Sequence, residues 1–379
     1  MHGLEASAAR VVELVAAGRA TSRNDLATAL GLPPSTVNLR VQALLAAGVL
    51  VEQGEGRSQG GRRPRLLTVN PDFGHVWTID IGSRHVRLGP MDMTGALIST
   101  HELSITIDTD PVVVLGEISA AVHDLALSER PAGRWLGVGV GLPGPVDVVA
   151  GTVTLPSRMP GWRGFPAHEA LQRLFEAPVV IDNDANLMAL GQARRGAPGE
   201  TLVVVKAGTG IGAGLVVEGR LHRGRDGASG DISHVRIPAG GDRPCSCGNH
   251  GCLETVASGA ALVAQLGVAS TADVLAATED ANATVITAVR RAGGLLGEVL
   301  ATVVNFANPD AVLLGGALAG SEAFVAAARG ALYERCLPLA TRRLRIDTVL
   351  GGADAGLLGA GSLALESVLD EAIRGETRR

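Results

Sequence analysis

Two kinds of hydrophobic spacing divide the chain at about residue 70. Before that point, apolar positions recur at intervals of three and four residues, which is typical of amphipathic helices. Beyond it, short apolar runs alternate with Ala-rich helical segments, and aromatic residues are scarce. That alternation is typical of α/β domains. We therefore predict a helical N-terminal module followed by a larger α/β body.

The N-terminal spacing predicts a helix-turn-helix. Segment 21–31, TSRNDLATALG, predicts a short helix that ends at Gly31, with Leu26, Ala29 and Leu30 on one face. Segment 33–50 predicts a second helix after a tight turn, with Pro34 in its first turn. The apolar stripe of this second helix recurs at i, i+4, i+7 and i+8 and consists of Val37, Val41, Leu44 and Leu45.

The remaining side chains of the second helix are of the kinds that read bases in a major groove. They are Ser35, Thr36, Asn38, Leu39, Arg40 and Gln42. A short strand, VLVEQ, then leads into a glycine-rich segment, which predicts a β-hairpin wing that contacts phosphates or a minor groove. Its basic residues are Arg57, Arg62, Arg63 and Arg65.

Charge agrees with a DNA-binding N-terminus. Residues 1–70 hold eight arginines, no lysine and five acidic residues, a net of +3, whereas the remainder has a net of −8. Ordinary scatter of charge would also give +3, and a helical pair with a basic wing could instead be a protein-interaction module. The helix pattern favours DNA.

Two similar openings in the body predict a duplicated core with a cleft between two lobes. Residues 75–98 predict two strands joined by a turn, with Asp80 at the end of the first, and residues 202–221 repeat the arrangement. The second opening contains GTGIGAG at 208–214, a loop that could approach a phosphate through its backbone. Lys206, the only lysine in the chain, is predicted to be a solvated charge at a strand end.

A polar cluster follows a predicted strand at 179–196, VVIDNDANLMALGQARRG. Open α/β sheets place ligands at the carboxyl ends of strands, and an acid there can accept a proton from a substrate hydroxyl. We assign that role to Asp184. Asn186 is predicted to form an Asx turn and helix N-cap instead.

Three of the four cysteines lie within CSCGNHGCLE, residues 245–254. In a reducing compartment, clustered cysteines more often bind metal than form disulfides, and zinc requires four N or S ligands. Cys245, Cys247 and Cys252 supply three, and spacing leaves His234 and His250 open as the fourth. Such a closed site would be structural. Cys336 is predicted to be a buried core thiol.

The start of the chain lacks the order of a signal peptide, and no apolar run approaches the roughly 18 residues of a membrane span. These features predict a cytoplasmic protein that does not contact a membrane.

The succession of motifs resembles the ROK family of sugar kinases and sugar-responsive repressors. The resemblance covers about residues 8–365 and rests on a winged helix followed by DIGSRHVRLG, GLPGPVD, NDAN, GTGIGAG, the ISH tripeptide with CSCGNHGCLE, and PDAVLLGGAL. It implies an actin-like ATPase body of the hexokinase type: two α/β lobes around a cleft, usually dimeric. The expected domains are a winged helix at 1–70, a first lobe at 71–184 completed by a C-terminal helix at 358–379, and a second lobe at 185–357.

The resemblance also implies residue roles. Zinc would be held by His234, Cys245, Cys247 and Cys252. Sugar hydroxyls would be held by Asn183, Asp184, Asp231, His234 and Glu254, with Asp184 matching the kinase base. The phosphate loops would correspond to Asp80, Gly82, Gly208, Thr209 and Gly210.

Two departures from the family pattern favour a regulator over a kinase. The first phosphate loop reads DIGSR instead of D-x-G-G-T, and the bulk of Arg84 is expected to prevent productive ATP binding. The family's E-x-G-H appears as Asp231, Ile232, Ser233 and His234, which shortens the acid by one methylene. Ser157 also replaces an asparagine that many relatives carry. Glucose is therefore not assumed as the ligand.

We predict a sugar-responsive transcriptional repressor of carbohydrate genes, which leaves its operator DNA when a sugar or sugar derivative binds between the lobes. It would act as a homodimer or homotetramer and carry structural zinc but no ATP. The alternatives are a sugar kinase that retains a DNA-binding domain, a DNA-binding protein with a vestigial pocket, and an activator.

Overall fold

The computed structural model of the protein describes residues 8–55, 65–154, 159, 161–197 and 199–376. Ser157 and the wing-tip residues Arg57, Arg62 and Arg63 lie outside the described residues, so their predicted roles remain predictions.

The N-terminal domain is a helix-turn-helix with a β-hairpin wing. Ser22 caps the second helix in a capping box with Asp25, and Gly31 ends that helix in the left-handed conformation at φ 64°. The hairpin strands pair antiparallel, with Leu50 opposite Val69. The elements are α1 (Ala8–Ala16), α2 (Arg23–Leu30), α3 (Pro34–Ala46), β1 (Leu50–Glu55) and β2 (Arg65–Val69).

The predicted apolar faces of this domain are largely confirmed. Val37, Val41 and Leu44 of α3 are fully buried, as is Leu26 of α2. The prediction for Ala29 is wrong, because this residue is exposed. Helix α2 contacts the domain along Leu26 and Leu30, one turn apart, and Ala29 lies off that line.

The first body sheet has strand order β5-β4-β3-β6-β9 and mixes antiparallel and parallel pairs. Successive side chains of β3 point to opposite faces. Trp77, Ile79 and Ile81 pack on α4 and α5, whereas Val76 packs on the opposite side with α13. Its elements are β3 (Gly74–Ile81), β4 (Val86–Asp92), β5 (His101–Leu103), α4 (Pro111–Glu129), β6 (Arg134–Leu142), β7 (Val146–Asp147), β8 (Thr152–Val153), α5 (Ala167–Phe175) and β9 (Val179–Asn183).

The second sheet has strand order β12-β11-β10-β13-β14. Val203 and Val205 of β10 face α10 and α11, whereas Leu202 and Val204 face α6. The elements are α6 (Asp184–Arg195), β10 (Leu202–Ala207), β11 (Ile211–Val217), β12 (Arg220–Leu221), α7 (Glu254–Ala257), α8 (Gly259–Leu266), α9 (Thr271–Glu279), α10 (Ala283–Ala307), β13 (Ala311–Gly315), α11 (Glu322–Arg335), α12 (Pro338–Thr341), β14 (Arg345–Thr348) and α13 (Ala355–Glu376).

Helices α6 and α13 lie side by side between the two sheets, and their backbones are in close contact. A Cβ atom at Gly191 of α6 would lie 2.9 Å from the carbonyl oxygen of Ala355 in α13. A Cβ at Gly359 of α13 would lie 1.7 Å from the carbonyl oxygen of Leu187. Only glycine allows this approach, so the helix pair separates the sheets with almost no side-chain spacer.

Among the described helices, α4 is long and apolar enough by composition to cross a membrane, and the bent pair α8 and α9 passes when taken together. Val114, Leu115 and Ile118 of α4 are buried against the first sheet. A core helix of this kind passes the same test of length and composition.

Candidate functional site

A cleft of about 690 Å³ opens between the two sheets. The ends of β3, β9 and β10 meet there, as the carboxyl ends of strands do in open α/β folds. The structure brings together the residues predicted to bind sugar and phosphate, since all of them line this cleft: Asp80, Gly82, Asn183, Asp184, Gly208, Thr209, Gly210, Asp231, His234 and Glu254.

Helix α6 begins inside the cleft, and two adjacent polar residues form its start. The Asn183 side-chain oxygen accepts from the backbone N–H groups of Ala185 and Asn186 at 3.0 and 3.1 Å, which makes Asn183 the N-cap. Asp184 accepts from the Ala185 N–H at 2.8 Å through Oδ1. The cap fixes the backbone on both sides of the Asp184 carboxylate, whose second oxygen faces the cleft.

Lys206 occupies the cleft floor, so the prediction that it is a solvated strand-end charge is wrong. Its Nζ lies 2.9 Å from Oδ2 of Asp184 and 3.3 Å from Oδ1 of Asp80. Asp80 belongs to the first sheet and Lys206 to the second. The ammonium group therefore links the two sheets across the cleft.

Electrostatics keep this lysine charged. Burial alone would lower the pKa of Lys206, but the carboxylates of Asp184 and Asp80 outweigh it and raise the pKa above its ordinary value. Burial raises the pKa of Asp80, and the negative charge of Asp184 adds to that effect. The Lys206 ammonium thus contacts two carboxylates and holds that of Asp184 in an ion pair.

The side chain beside the first predicted phosphate loop is His85 and not, as expected, Arg84. Arg84 donates from its exposed side chain to the carbonyl oxygen of Ala269 at 3.3 Å, and it is not among the described residues that line the cleft. The His85 ring packs on the loop instead. It lies so close that a Cβ atom at Gly82 would be 3.1 Å from Nε2 of His85. Arg84 was expected to obstruct the phosphate loop, but the side chains that enter the cleft there are those of His85 and Lys206.

The second glycine loop, residues 208–210, is anchored on the side of the segment that carries Cys245, Cys247 and Cys252. The Glu254 carboxylate accepts from the Ile211 N–H at 2.8 Å, and the Gly259 N–H donates to the Gly208 carbonyl at 2.8 Å. Glu254 is 6% exposed and also lines the cleft. Its position links the glycine loop to the segment that carries the cysteines.

Two residues that sequence reasoning missed hold the cleft loops together. Asp182 is 1% exposed, and its Oδ2 accepts from the Arg223 guanidinium at 2.7 Å. Asn186 donates to Asp182 Oδ1 at 2.9 Å, so the predicted N-cap role of Asn186 is wrong and belongs to Asn183. Asp182 precedes the polar cluster directly, but only the fold shows that Arg223, 41 positions away, is its partner.

A compact cluster of metal-ligating atoms adjoins the cleft. The ligand atoms of His234, Cys245, Cys247 and Cys252 all lie within 4.8 Å of one another. The Cys247 and Cys252 sulfurs are 3.8 Å apart, and the Cys245 sulfur is 3.4 Å from Nδ1 of His234. A tetrahedral zinc with ordinary bond lengths requires about 3.8 Å between sulfurs and about 3.6 Å between sulfur and nitrogen. The donor set therefore fits zinc, and His250 is outside the cluster found among the described residues.

The exposed face of α3 carries the predicted base-reading residues. Ser35, Asn38, Leu39 and Gln42 are exposed, and Leu39 is 74% exposed despite being apolar. Arg23 of α2 donates to the Asn38 side-chain oxygen at 3.1 Å and also contacts Glu52 at 2.7 Å. Sequence reasoning missed Arg23, which orients Asn38 towards the outside of the domain.

A winged helix-turn-helix followed by a two-sheet α/β body with a cleft defines a DNA-binding protein built on a sugar-kinase fold. The ROK family model matches residues 76–367 and a winged helix-turn-helix DNA-binding model matches residues 12–51, so the chain belongs to the ROK family. The resemblance to this family that the sequence motifs predicted is thereby confirmed.

Known proteins of similar sequence include regulators. The xylose repressor of Bacillus spizizenii is 30% identical over 360 residues, which cover 92% of each chain. Among solved structures, a ROK family transcriptional regulator, a homologue of the E. coli MLC protein, has a TM-score of 0.78 and 23% identity, covering 97% of this chain and 96% of that one. The Streptomyces griseus ROK glucokinase with glucose and AMPPNP has a TM-score of 0.68 and 25% identity, covering 76% of this chain and 99% of that one.

Proposed function

We propose that this protein is a sugar-responsive transcriptional repressor. The observation that carries the proposal is the union of a winged helix, whose α3 presents base-reading side chains, with a sugar-kinase cleft whose Asp184 is paired to Lys206. The likeness to xylose repressors along nearly the whole chain supports it. The protein would act in the cytoplasm, where it meets both chromosomal DNA and imported sugar.

A monosaccharide would bind in the cleft between the two lobes, held by Asn183, Asp184, Asp231, His234 and Glu254. Carboxylate oxygens accept charge-assisted hydrogen bonds from sugar hydroxyls, and several such bonds can supply the differential affinity that a switch requires. Moving a population from 1:99 to 99:1 takes about 5.5 kcal/mol. Because the similar repressors are xylose repressors, D-xylose is the first candidate.

Zinc would be structural, bound by His234, Cys245, Cys247 and Cys252. His234 uses Nδ1 on the cysteine side and also lines the cleft, so the metal would orient the imidazole that faces the sugar. The same segment leads directly into Glu254. Zinc would therefore hold two of the five sugar contacts in position.

A homodimer would place two copies of α3 on two operator half-sites about one helical turn apart. Sugar binding would change the relative position of the two recognition helices so that they no longer match that spacing. Arg57, Arg62 and Arg63 of the wing would add phosphate or minor-groove contacts.

An active sugar kinase is the second candidate, favoured by the likeness of the body to the S. griseus glucokinase. Phosphoryl transfer depends on carboxylate-held divalent cations and on a base that accepts the hydroxyl proton. Here the Lys206 ammonium lies between Asp80 and Asp184 and would compete with a divalent cation for these carboxylates, so ATP would not bind productively. Coupled measurement of ADP release with D-xylose, D-glucose and N-acetyl-D-glucosamine should show no turnover above a protein-free control.

Gel shifts test the repressor directly. DNA fragments selected by the protein from a random pool are bound at fixed salt, because phosphate contacts make affinity salt-dependent, and the three sugars are added separately. At least one sugar should weaken DNA binding by about 5- to 150-fold, the usual range of allosteric coupling. Asp184→Asn should remove the response and keep DNA binding, whereas Asp124→Asn, on the exposed surface of α4, should keep both. Selected DNA that no sugar releases would contradict the proposal.

A further inference from the structure

Helix α6 physically connects the cleft to the DNA-binding domain. It begins at Asp184 on the cleft floor, ends at Arg195 and contains 12 residues. At a rise of 1.5 Å per residue this is a rod of about 18 Å. The same element that presents the Asp184 carboxylate to the cleft thus reaches the N-terminal domain at its other end.

Polar contacts hold the far end of α6 to the N-terminal domain and to α13. The Arg194 guanidinium contacts Glu13 of α1 at 3.0 Å and Glu366 of α13 at 2.9 Å. From the other direction, Arg19 of the N-terminal domain donates to the carbonyl oxygens of Gly196 at 2.8 Å and Arg195 at 3.4 Å. The last carbonyls of a helix carry partial negative charge, which favours a guanidinium there.

The close contact between α6 and α13 makes the connection rigid. The helices meet at Gly191 and Gly359, and a relative slide would force backbone atoms together there. On its other side, α13 shares an apolar cluster with α1, through Leu365 and Leu369 with Val11 and Val15. A displacement of α6 therefore carries α13 with it and acts on α1 at both the polar and the apolar contacts.

We infer that α6 and α13 form the coupling element between sugar and DNA, with Arg194 and Arg19 as the positioning residues that transmit its displacement to α1. This inference rests on the proposed function and specifies how that function is regulated. A sugar that engages Asp184 moves the start of α6, and the guanidinium contacts convert this motion into a rotation of the winged helix. Neither Arg194 nor Arg19 is among the described residues that line the cleft.

The test compares Arg194→Gln with Arg195→Gln, which makes the same chemical change at the next, exposed position of the same helix. The probe is a mixture of D-xylose, D-glucose and N-acetyl-D-glucosamine. For each protein the DNA dissociation constant is measured with and without the mixture. In R194Q the ratio of the two constants should fall by about 2- to 30-fold relative to wild type, the effect that single changes have on coupling. R195Q should keep the wild-type ratio.

Two further measurements separate coupling from simple loss of structure. The melting temperature of R194Q and its affinity for the sugars in the absence of DNA should stay near the wild-type values. Arg19→Gln, which removes an exposed side chain, should lower the ratio as well. The double variant E13Q/R194Q should lower the ratio no further than R194Q does, because R194Q has already removed the contact between Arg194 and Glu13.

The outcomes distinguish the inference from the function beneath it. A wild-type protein that no sugar releases from DNA overturns the proposed function and the coupling together. A responsive wild type accompanied by equally responsive R194Q and R19Q overturns the coupling alone. A lowered ratio in R195Q equal to that in R194Q would also overturn it, because loss of charge at the helix end would then be the cause.

Discussion

Lys206 Nζ lies 2.9 Å from Asp184 Oδ2, so the carboxylate that we propose contacts the sugar is held in an ion pair by the only lysine of the chain. The same ammonium contacts Asp80 at 3.3 Å from the opposite sheet. A cation supplied by the protein thus lies between two carboxylates that belong to opposite sides of the cleft.

Replacing Lys206 by methionine should destabilise the protein and create a metal site. Breaking a largely buried ion pair typically costs about 3 to 5 kcal/mol because it leaves charges without partners. Two facing carboxylates are also good ligands for a hard divalent cation. In thermal melts, Mn²⁺ should raise the melting temperature of K206M and leave that of the wild type unchanged. Equal responses of the two proteins would contradict the assignment of Lys206 as the cation of the cleft.

The same ion pair predicts a loss of stability at alkaline pH. The pKa of Lys206 is raised in the folded protein, and the ordinary lysine pKa is about 10.4. Its contribution to stability is therefore complete below about pH 10.4 and is lost as the pH rises through the higher folded-state pKa. As the pH is raised above about 10.4, the urea midpoint of the wild type should decrease more steeply than the midpoint of K206M. Parallel curves for both proteins would show that the stability does not come from Lys206.

Elemental analysis should find one zinc per chain, and Cys252→Ser should remove it. Loss of a thiolate ligand should reduce metal affinity by more than about 100-fold, since even second-shell partners are worth 10- to 100-fold. C252S should also bind sugar more weakly, because His234 and Glu254 lose their support. Cys336→Ala is the matched control, since this thiol lies in the core near the Ala301 carbonyl and outside the cluster. Zinc retained in C252S would refute the site.

The pair formed by buried Asp182 and half-buried Arg223 should be essential to the cleft. Arg223→Met would leave a carboxylate that is 1% exposed without its guanidinium, at a cost of about 3 to 5 kcal/mol in the free energy of unfolding. The double variant D182N/R223M should recover most of this stability, because no buried charge remains. Sugar affinity should stay weakened in both variants, since the loop that carries Asp231 and His234 loses its tether. Urea unfolding and calorimetric sugar titration check the two effects separately.

On α3, Asn38→Ala and Gln42→Ala should each weaken binding to selected DNA by about 1 to 3 kcal/mol. Binding to unrelated DNA should be affected much less, because phosphate contacts are kept. Ala46, at the end of the same helix, offers a control position for a glutamine substitution on an exposed surface. A uniform loss on both kinds of DNA would mean that these residues contact phosphates instead of bases.

Short-range patterns determined much of this protein before any tertiary contact was considered. The stripe at Val37, Val41 and Leu44 predicted the buried face of α3. The three cysteines within eight positions predicted a metal-binding segment from residue chemistry alone. These features are predictable because helix and strand periods, and the ligand preferences of zinc, act over a few residues.

The tertiary structure decided which distant residues became partners. Lys206 and Asp80 are separated by 126 positions, and Arg194 and Glu13 by 181. Residues so far apart in the sequence come into contact only because the two sheets stack and α6 lies between them. Local periodicity therefore cannot predict these ion pairs. The structure likewise placed His234, and not His250, with the cysteines. Local patterns thus named the charged and metal-ligating groups, whereas the packing of the two sheets and the helix pair determined what each group binds.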